Sequence, residues 1–193
     1  MKTAFLRSAP LLLAVALAAC AGGGGGRERP AAGGVDIARF HLGEPVARAQ
    51  IAIEPFDKAD SNRPEFPAYA AAVGRQLSRL GWNVVPSTTQ SEQIALIDLE
   101  QGSREAVAAL SAARIGRGVS ATVPEGTSAN VTASLLEVAI RRRSDGTVFW
   151  EGRAVGESPT GSADAARTAV VERLATALFR DFPGESGRTI RVR

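Results

Sequence analysis

The chain has 193 residues, a formal net charge of +3 and a 45% share of hydrophobic residues. Basic and acidic residues nearly balance, and without a clustered basic excess there is no nucleic-acid footprint. One cysteine and one histidine exclude an internal disulfide and leave too few ligands for a His/Cys metal site, so no metal and no cofactor are expected.

Lys2 and Arg7 give a positive start, and an apolar run from Leu11 to Ala19 follows. The run is shorter than the roughly 20 residues that cross a bilayer, so residues 1–19 read as a secretory signal peptide. Its end, Leu17-Ala18-Ala19-Cys20, resembles the lipobox of bacterial lipoproteins. That resemblance implies cleavage before Cys20, a diacylglycerol (palmitate and similar chains) on its thiol, and acylation of the new amine. Two or more chains give the stable anchoring that one chain does not. The expected membrane partner is therefore reached through lipidated Cys20. Ala21, where enterobacterial sorting to the inner membrane uses aspartate, points by the same resemblance to the outer membrane, with the protein facing the periplasm. Gly22 to Gly26 and the polar, glycine-bearing stretch to Gly34 make residues 20–34 a flexible tether. Residues 35–193 are left as a single periplasmic domain, a normal size for one core.

Val35 to Leu42 alternates as a strand, with Val35, Ile37 and, less cleanly, Arg39 on one side. Gln50 to Phe56 is a second strand, and Asp57 to Pro67, polar with two prolines, a loop. Tyr69, Val73, Leu77 and Leu80 mark one face of a helix over Ala68 to Leu80, closed by Gly81. Short strands follow at Trp82 to Val85 and Ile94 to Glu100. Residues Gly102 to Ala129 hold a weak helical pattern from Arg104 to Arg114, but Gly116, Gly118 and Pro124-Glu125-Gly126 favour an irregular excursion. Asp145-Gly146 then joins Val131 to Arg143 and Thr147 to Val155 in a hairpin, since both turn residues accept positive φ. Leu136, Val138 and Ile140 share the core side with Val148, Trp150 and Ala154. Ala166, Val170, Leu174, Leu178 and Phe182, spaced by four, put a helix over Gly161 to Phe182 with Ser162 as its cap. Thr189 to Val192 is a final strand.

This order predicts an α+β fold of two layers: a mostly antiparallel sheet with two amphipathic helices on one face. Glu137, Arg141, Glu151 and Arg153 mark the other face as at least partly wet.

Little in the chain carries chemistry. His41 reads as a satisfied or surface residue, and no nucleophile elbow accompanies it. Asp98 and Glu100 lie two apart on one side of a strand, a pair with the chemistry for acid–base work or a solvated strand end. Arg141, Arg142 and Arg143 beside the turn form a possible contact patch for lipid phosphate or an acidic partner, or a solvated tip. Trp82 and Trp150 read as core anchors.

Several stretches together resemble the bacterial lipoproteins grouped as domain of unknown function 4136. They are Ile51-Ala-Ile-Glu-Pro-Phe, Leu77-Ser-Arg-Leu-Gly-Trp, the hairpin from Arg141 to Ala154, and Phe179-Arg-Asp-Phe-Pro-Gly-Glu-Ser-Gly-Arg-Thr. The resemblance implies an envelope lipoprotein with an α+β domain and assigns no catalytic residue. It departs at Gly102 to Ala129, where a more glycine-rich stretch is expected. The expected function is a non-enzymatic membrane-anchored module for interaction or assembly with an envelope protein. Two alternatives stand beside it: a small-ligand or lipid carrier, and an envelope hydrolase using Asp98 and Glu100.

Overall fold

A computed structural model describes residues 33–43, 45–87, 90–113 and 130–193. The expected signal peptide, Cys20 and most of the expected tether lie outside the described residues.

Seven strands form one open mixed sheet: β1 (Val35–His41), β2 (Gln50–Pro55), β3 (Asn83–Val85), β4 (Gln93–Gly102), β5 (Val131–Arg142), β6 (Val148–Pro159) and β7 (Thr189–Val192). Their order is β3-β2-β4-β5-β6-β1-β7. β2 runs parallel to β3 and β4, and every other pairing is antiparallel. With its helices this is the expected α+β fold with a mostly antiparallel sheet. The strands divide the domain into two ends. Val35 starts β1 opposite Gly156 and Val192, at the end where the expected tether would join. His41 finishes it opposite Trp150, beside the hairpin turn.

Helices α1 (Phe66–Arg79) and α3 (Arg167–Phe179) pack on one face. Val73 and Leu77 from α1, and Val170, Leu174 and Leu178 from α3, are buried there against Ile37, Ile51, Ile97, Leu136, Ile140 and Trp150. Pro67 in the first turn of α1 fits because its fixed φ suits a helix start. Gly81, at φ +98°, turns the chain back so that Trp82 N–H donates to Leu77 O at 3.1 Å, a Schellman closure.

Four expectations need correction or refinement. First, Arg104–Ala113 is a helix, α2, where an irregular excursion was favoured; residues 114–129 lie outside the described residues. Its Val107 packs on Ala38, Ala133, Leu135 and Val155, on the sheet face opposite α1 and α3. Second, that face is only partly wet: Arg141 and Glu151 are part-exposed, but the centre of the charged row is dry. Arg153 is 0% exposed and Glu137 4%. The charges satisfy one another: Arg153 Nε lies 2.7 Å from Glu137 Oε1, and its Nη2 3.3 Å from Glu151 Oε1. Third, Val148 is 41% exposed rather than in the core. A bulge shifts the β5–β6 register between Ile140 and Arg141, so Arg141 pairs with Val148 while Ile140 pairs with Trp150. Fourth, Gly161 to Phe182 is not one helix. Ser162 caps a short 3-10 turn, Ala163–Ala165, by accepting from Ala165 N–H at 3.2 Å. The chain extends at Ala166 and restarts as α3, which stops before Arg180, and Asp181 takes a left-handed φ of 55°.

The loop expected from Asp57 to Pro67 also holds one 3-10 turn, Lys58–Asn62, capped by Asp57.

Candidate functional site

The three arginines at the end of β5 part company. Arg143 is built into the structure. Its N–H donates to Glu92 O at 2.9 Å, its Nε to Ser91 O at 2.9 Å, and its Nη2 to Glu54 Oε1 at 2.8 Å. Ser91 Oγ donates in turn to Gln93 O, and Gln93 bridges Ala47 O and Trp82 Nε1 at 2.9 and 2.7 Å. One network thus fastens the hairpin to the chain segments before β2 and β4. Arg142, half exposed, donates to Asp145 Oδ2 at 2.7 Å within the turn. Arg141 pairs with Val148 just past the bulge. Arg143 is thus a structural arginine and Arg142 a turn arginine, and the two line one cleft.

Beside Arg142 and Arg143 lies a cleft of about 650 Å³, lined on its apolar side by Leu42, Val46 and Phe149. The large exposed apolar side chains among the described residues gather at this same end of the sheet: Phe40 at 43%, Leu42 at 54% and Val148 at 41%. Exposed apolar groups grouped this way mark contact surfaces more often than isolated ones do.

The segment after α3 is pinned against this end. Trp150 Nε1 donates to Pro183 O at 3.0 Å. His41 Nδ1 accepts from Gly43 N–H at 3.1 Å, which leaves Nε2 to donate to Gly184 O at 3.0 Å. Its own N–H donates to Ser186 Oγ at 3.1 Å. Phe182 meets Trp82 edge-on, with ring centroids 5.3 Å apart, and Trp150 stacks on Phe179 at the same separation. Both tryptophans are core anchors, and His41 is a satisfied residue at the end of β1.

Asp98 and Glu100 share a cleft of about 640 Å³ with Asp57, Asp60, Glu137 and the cations Lys58 and Arg63. Asp98 stands opposite Glu137 across the β4–β5 pairing, and Arg63 holds Asp60 at 2.9 Å. Among the described residues no group of three or more His, Cys, Asp or Glu is arranged to hold a metal ion. Nor is any described helix long and apolar enough to cross a membrane.

Sequence reasoning missed Ser91 and Gln93, whose roles depend on where two distant loops meet. It placed Arg39 on the core side without a task for it. That alternation was the available signal.

No family model matches the chain. An uncharacterized protein of Zymomonas mobilis is 25% identical over 212 aligned positions, which cover 82% of this chain and 80% of that protein. Two crystal forms of a PelC dodecamer from Paraburkholderia phytofirmans align with TM-scores of 0.45 and 0.43 at 11% and 10% identity. Each covers 74% of this chain, and 93% and 92% of theirs. A PDZ domain protein from Parabacteroides distasonis aligns with a TM-score of 0.48 at 8% identity, over 83% of this chain and 39% of that one.

Proposed function

We propose that this protein is a lipid-anchored envelope lipoprotein of the outer membrane, facing the periplasm. It acts there as a non-enzymatic interaction or assembly module for an envelope protein. The observation that carries the anchor is Leu17-Ala18-Ala19-Cys20 followed by the glycine run. The grouping of Phe40, Leu42 and Val148 supports a contact role. They lie at the end of the strands far from the tether, the end an anchored domain would present away from the membrane.

Cys20→Ala, followed by membrane fractionation and intact mass, tests the anchor. Release from membranes or loss of processing supports it; unchanged fractionation and mass refute it. In-cell crosslinking of the lipidated protein tests the module. One dominant envelope partner, lost in a Leu42→Ser/Val148→Ser variant, is the expected result. Scattered neighbours, insensitive to the substitutions, would remove the assembly role.

A second reading, an envelope hydrolase, draws on the cleft that Asp98 and Glu100 share. It requires that Asp98→Asn abolish a measurable turnover while leaving the fold intact.

A further inference from the structure

Gly33, thirteen positions after Cys20, lines a groove of about 810 Å³ along the outward side of α3. Val35 and Val192 line it from the sheet edge, and Leu80 from the end of α1. Four arginines border it: Arg79, Arg173, Arg180 and Arg193. Its carboxylate, Glu172, is already held by Arg75 in an ion pair. Arg173 donates from Nη2 to Ser158 Oγ at 2.9 Å, while its Nε has no partner among the described residues. Arg180 stands 3.9 Å from the exposed Asp181, too far for a close pair.

We propose that this arginine-bearing side of α3 is a docking surface for an anionic lipid bilayer, engaging headgroup phosphates beside the protein's own anchor. The proposal rests on the lipid-anchor reading above. Two observations select a membrane as the occupant. The first is where the tether joins. Cys20 lies only thirteen residues before Gly33, while a domain of this size is about 40 Å across. Acylation of Cys20 therefore holds the Gly33 end of the groove near the bilayer, and α3 carries the groove on from there to Arg180. The second is charge. Guanidinium forks match phosphate oxygens, and the free cations on this surface outnumber the free acids. Each arginine brought to an anionic surface strengthens partitioning by about fivefold at physiological salt, an effect that salt screens.

The test uses the full lipidated protein. Because Cys20 is acylated, Ala169→Cys in the groove supplies a unique thiol for a fluorophore, and Ser144→Cys at the hairpin turn supplies the control. Each labelled protein is reconstituted into vesicles of phosphatidylcholine alone, or with roughly a third phosphatidylglycerol, carrying a headgroup-linked quencher. Expected is stronger quenching at position 169 in the anionic vesicles, reversed by high salt and by Arg79→Gln/Arg180→Gln, with position 144 unaffected. Equal quenching at the two positions would overturn the surface and leave the anchor standing, as would quenching at 169 that ignores lipid charge, salt and the arginines. Protein that leaves the vesicles with an unmodified Cys20 by mass would overturn both.

Discussion

The guanidinium of Arg39, on β1, donates to the carbonyl of Leu178, on α3, at 2.9 Å across 139 residues of sequence. The same side chain reaches Arg180 O at 2.6 Å and Ala177 O at 3.3 Å. The last turn of a helix leaves its carbonyls without intrahelical donors, and a cation there also meets the negative end of the macrodipole. Arg39 fills both needs from inside the core. This explains why α3 stops at Phe179 although the apolar period runs on to Phe182. Burial lowers the Arg39 pKa from its ordinary value, with the Asp181 carboxylate acting in the opposite sense.

Arg39→Met should therefore destabilise the fold by about 3 kcal/mol, since several hydrogen bonds to a charged donor vanish and buried carbonyls are left alone. Arg39→Lys should recover little, because an ammonium lacks the planar fork. Urea unfolding midpoints measure both, and a Met variant as stable as the parent would refute the capping role.

Gly152 permits the Trp150 indole to lie back along β6. A Cβ at this position would collide with that indole and come within 2.9 Å of Leu178 Cδ1. Gly152→Ala should cost about 1–3 kcal/mol by overpacking. Adding Trp150→Leu should make the alanine better tolerated than it is alone, a coupling that a double-mutant cycle in urea resolves.

Arg153 lies between two carboxylates with no water contact of its own. Arg153→Met leaves Glu137 buried beside the second acid and should cost about 3–5 kcal/mol. The double variant Arg153→Met/Glu137→Leu should be the milder of the two, because it removes a charge together with its partner. Equal losses would show that the ion pair itself, not the stranded acid, sets the energy.

Two aspartates should give opposite pH signatures. The Thr147 N–H, and then the Arg142 side chain, hold the Asp145 carboxyl down to about 2, below its ordinary 3.8. Its contribution is present above 3.8 and lost as pH falls toward 2. Asp145→Asn should thus lower the unfolding midpoint at neutral pH and converge on the parent in strong acid. Asp36 is raised above 3.8, by burial first, against the pull of Arg191 and with help from Glu157. Its folded state prefers the proton, so this contribution fades as pH rises through the raised value. Asp36→Asn should gain on the parent as pH climbs out of the acid range. Urea midpoints across the acid limb read both signs.

What could be read in advance follows from range along the chain. The period of Tyr69, Val73 and Leu77 and the Asp145-Gly146 turn are local, and both are found where the sequence puts them. α2 was obscured because the glycines at 116 and 118 weighed against a helix that the structure describes over Arg104–Ala113. The row of Glu137, Glu151 and Arg153 alternates as a solvated face would. Only the β5–β6 register, with Glu137 opposite Arg153, reveals charges that serve each other. Asp98 and Glu100 were correctly put on one side of one strand, but the acids at 57 and 60 reach them through a turn that the sequence shows only as a loop. The different tasks of the three arginines were hidden for a related reason: β5 ends at Arg142, which bonds Asp145 within the turn, while Arg143 reaches Ser91 and Glu54 from chain segments far away in sequence.

The position of β1 has a mechanical consequence. It is zipped on both edges, to β6 over its full length and to β7 over its first residues, and its N-terminal end leads to the tether. A load transmitted from an immobile anchor while a partner grips the far end would pull β1 lengthwise past both neighbours. Such a load strains many hydrogen bonds at once instead of peeling them singly. The strand that follows the expected tether is thereby braced on both edges against being drawn out of the sheet.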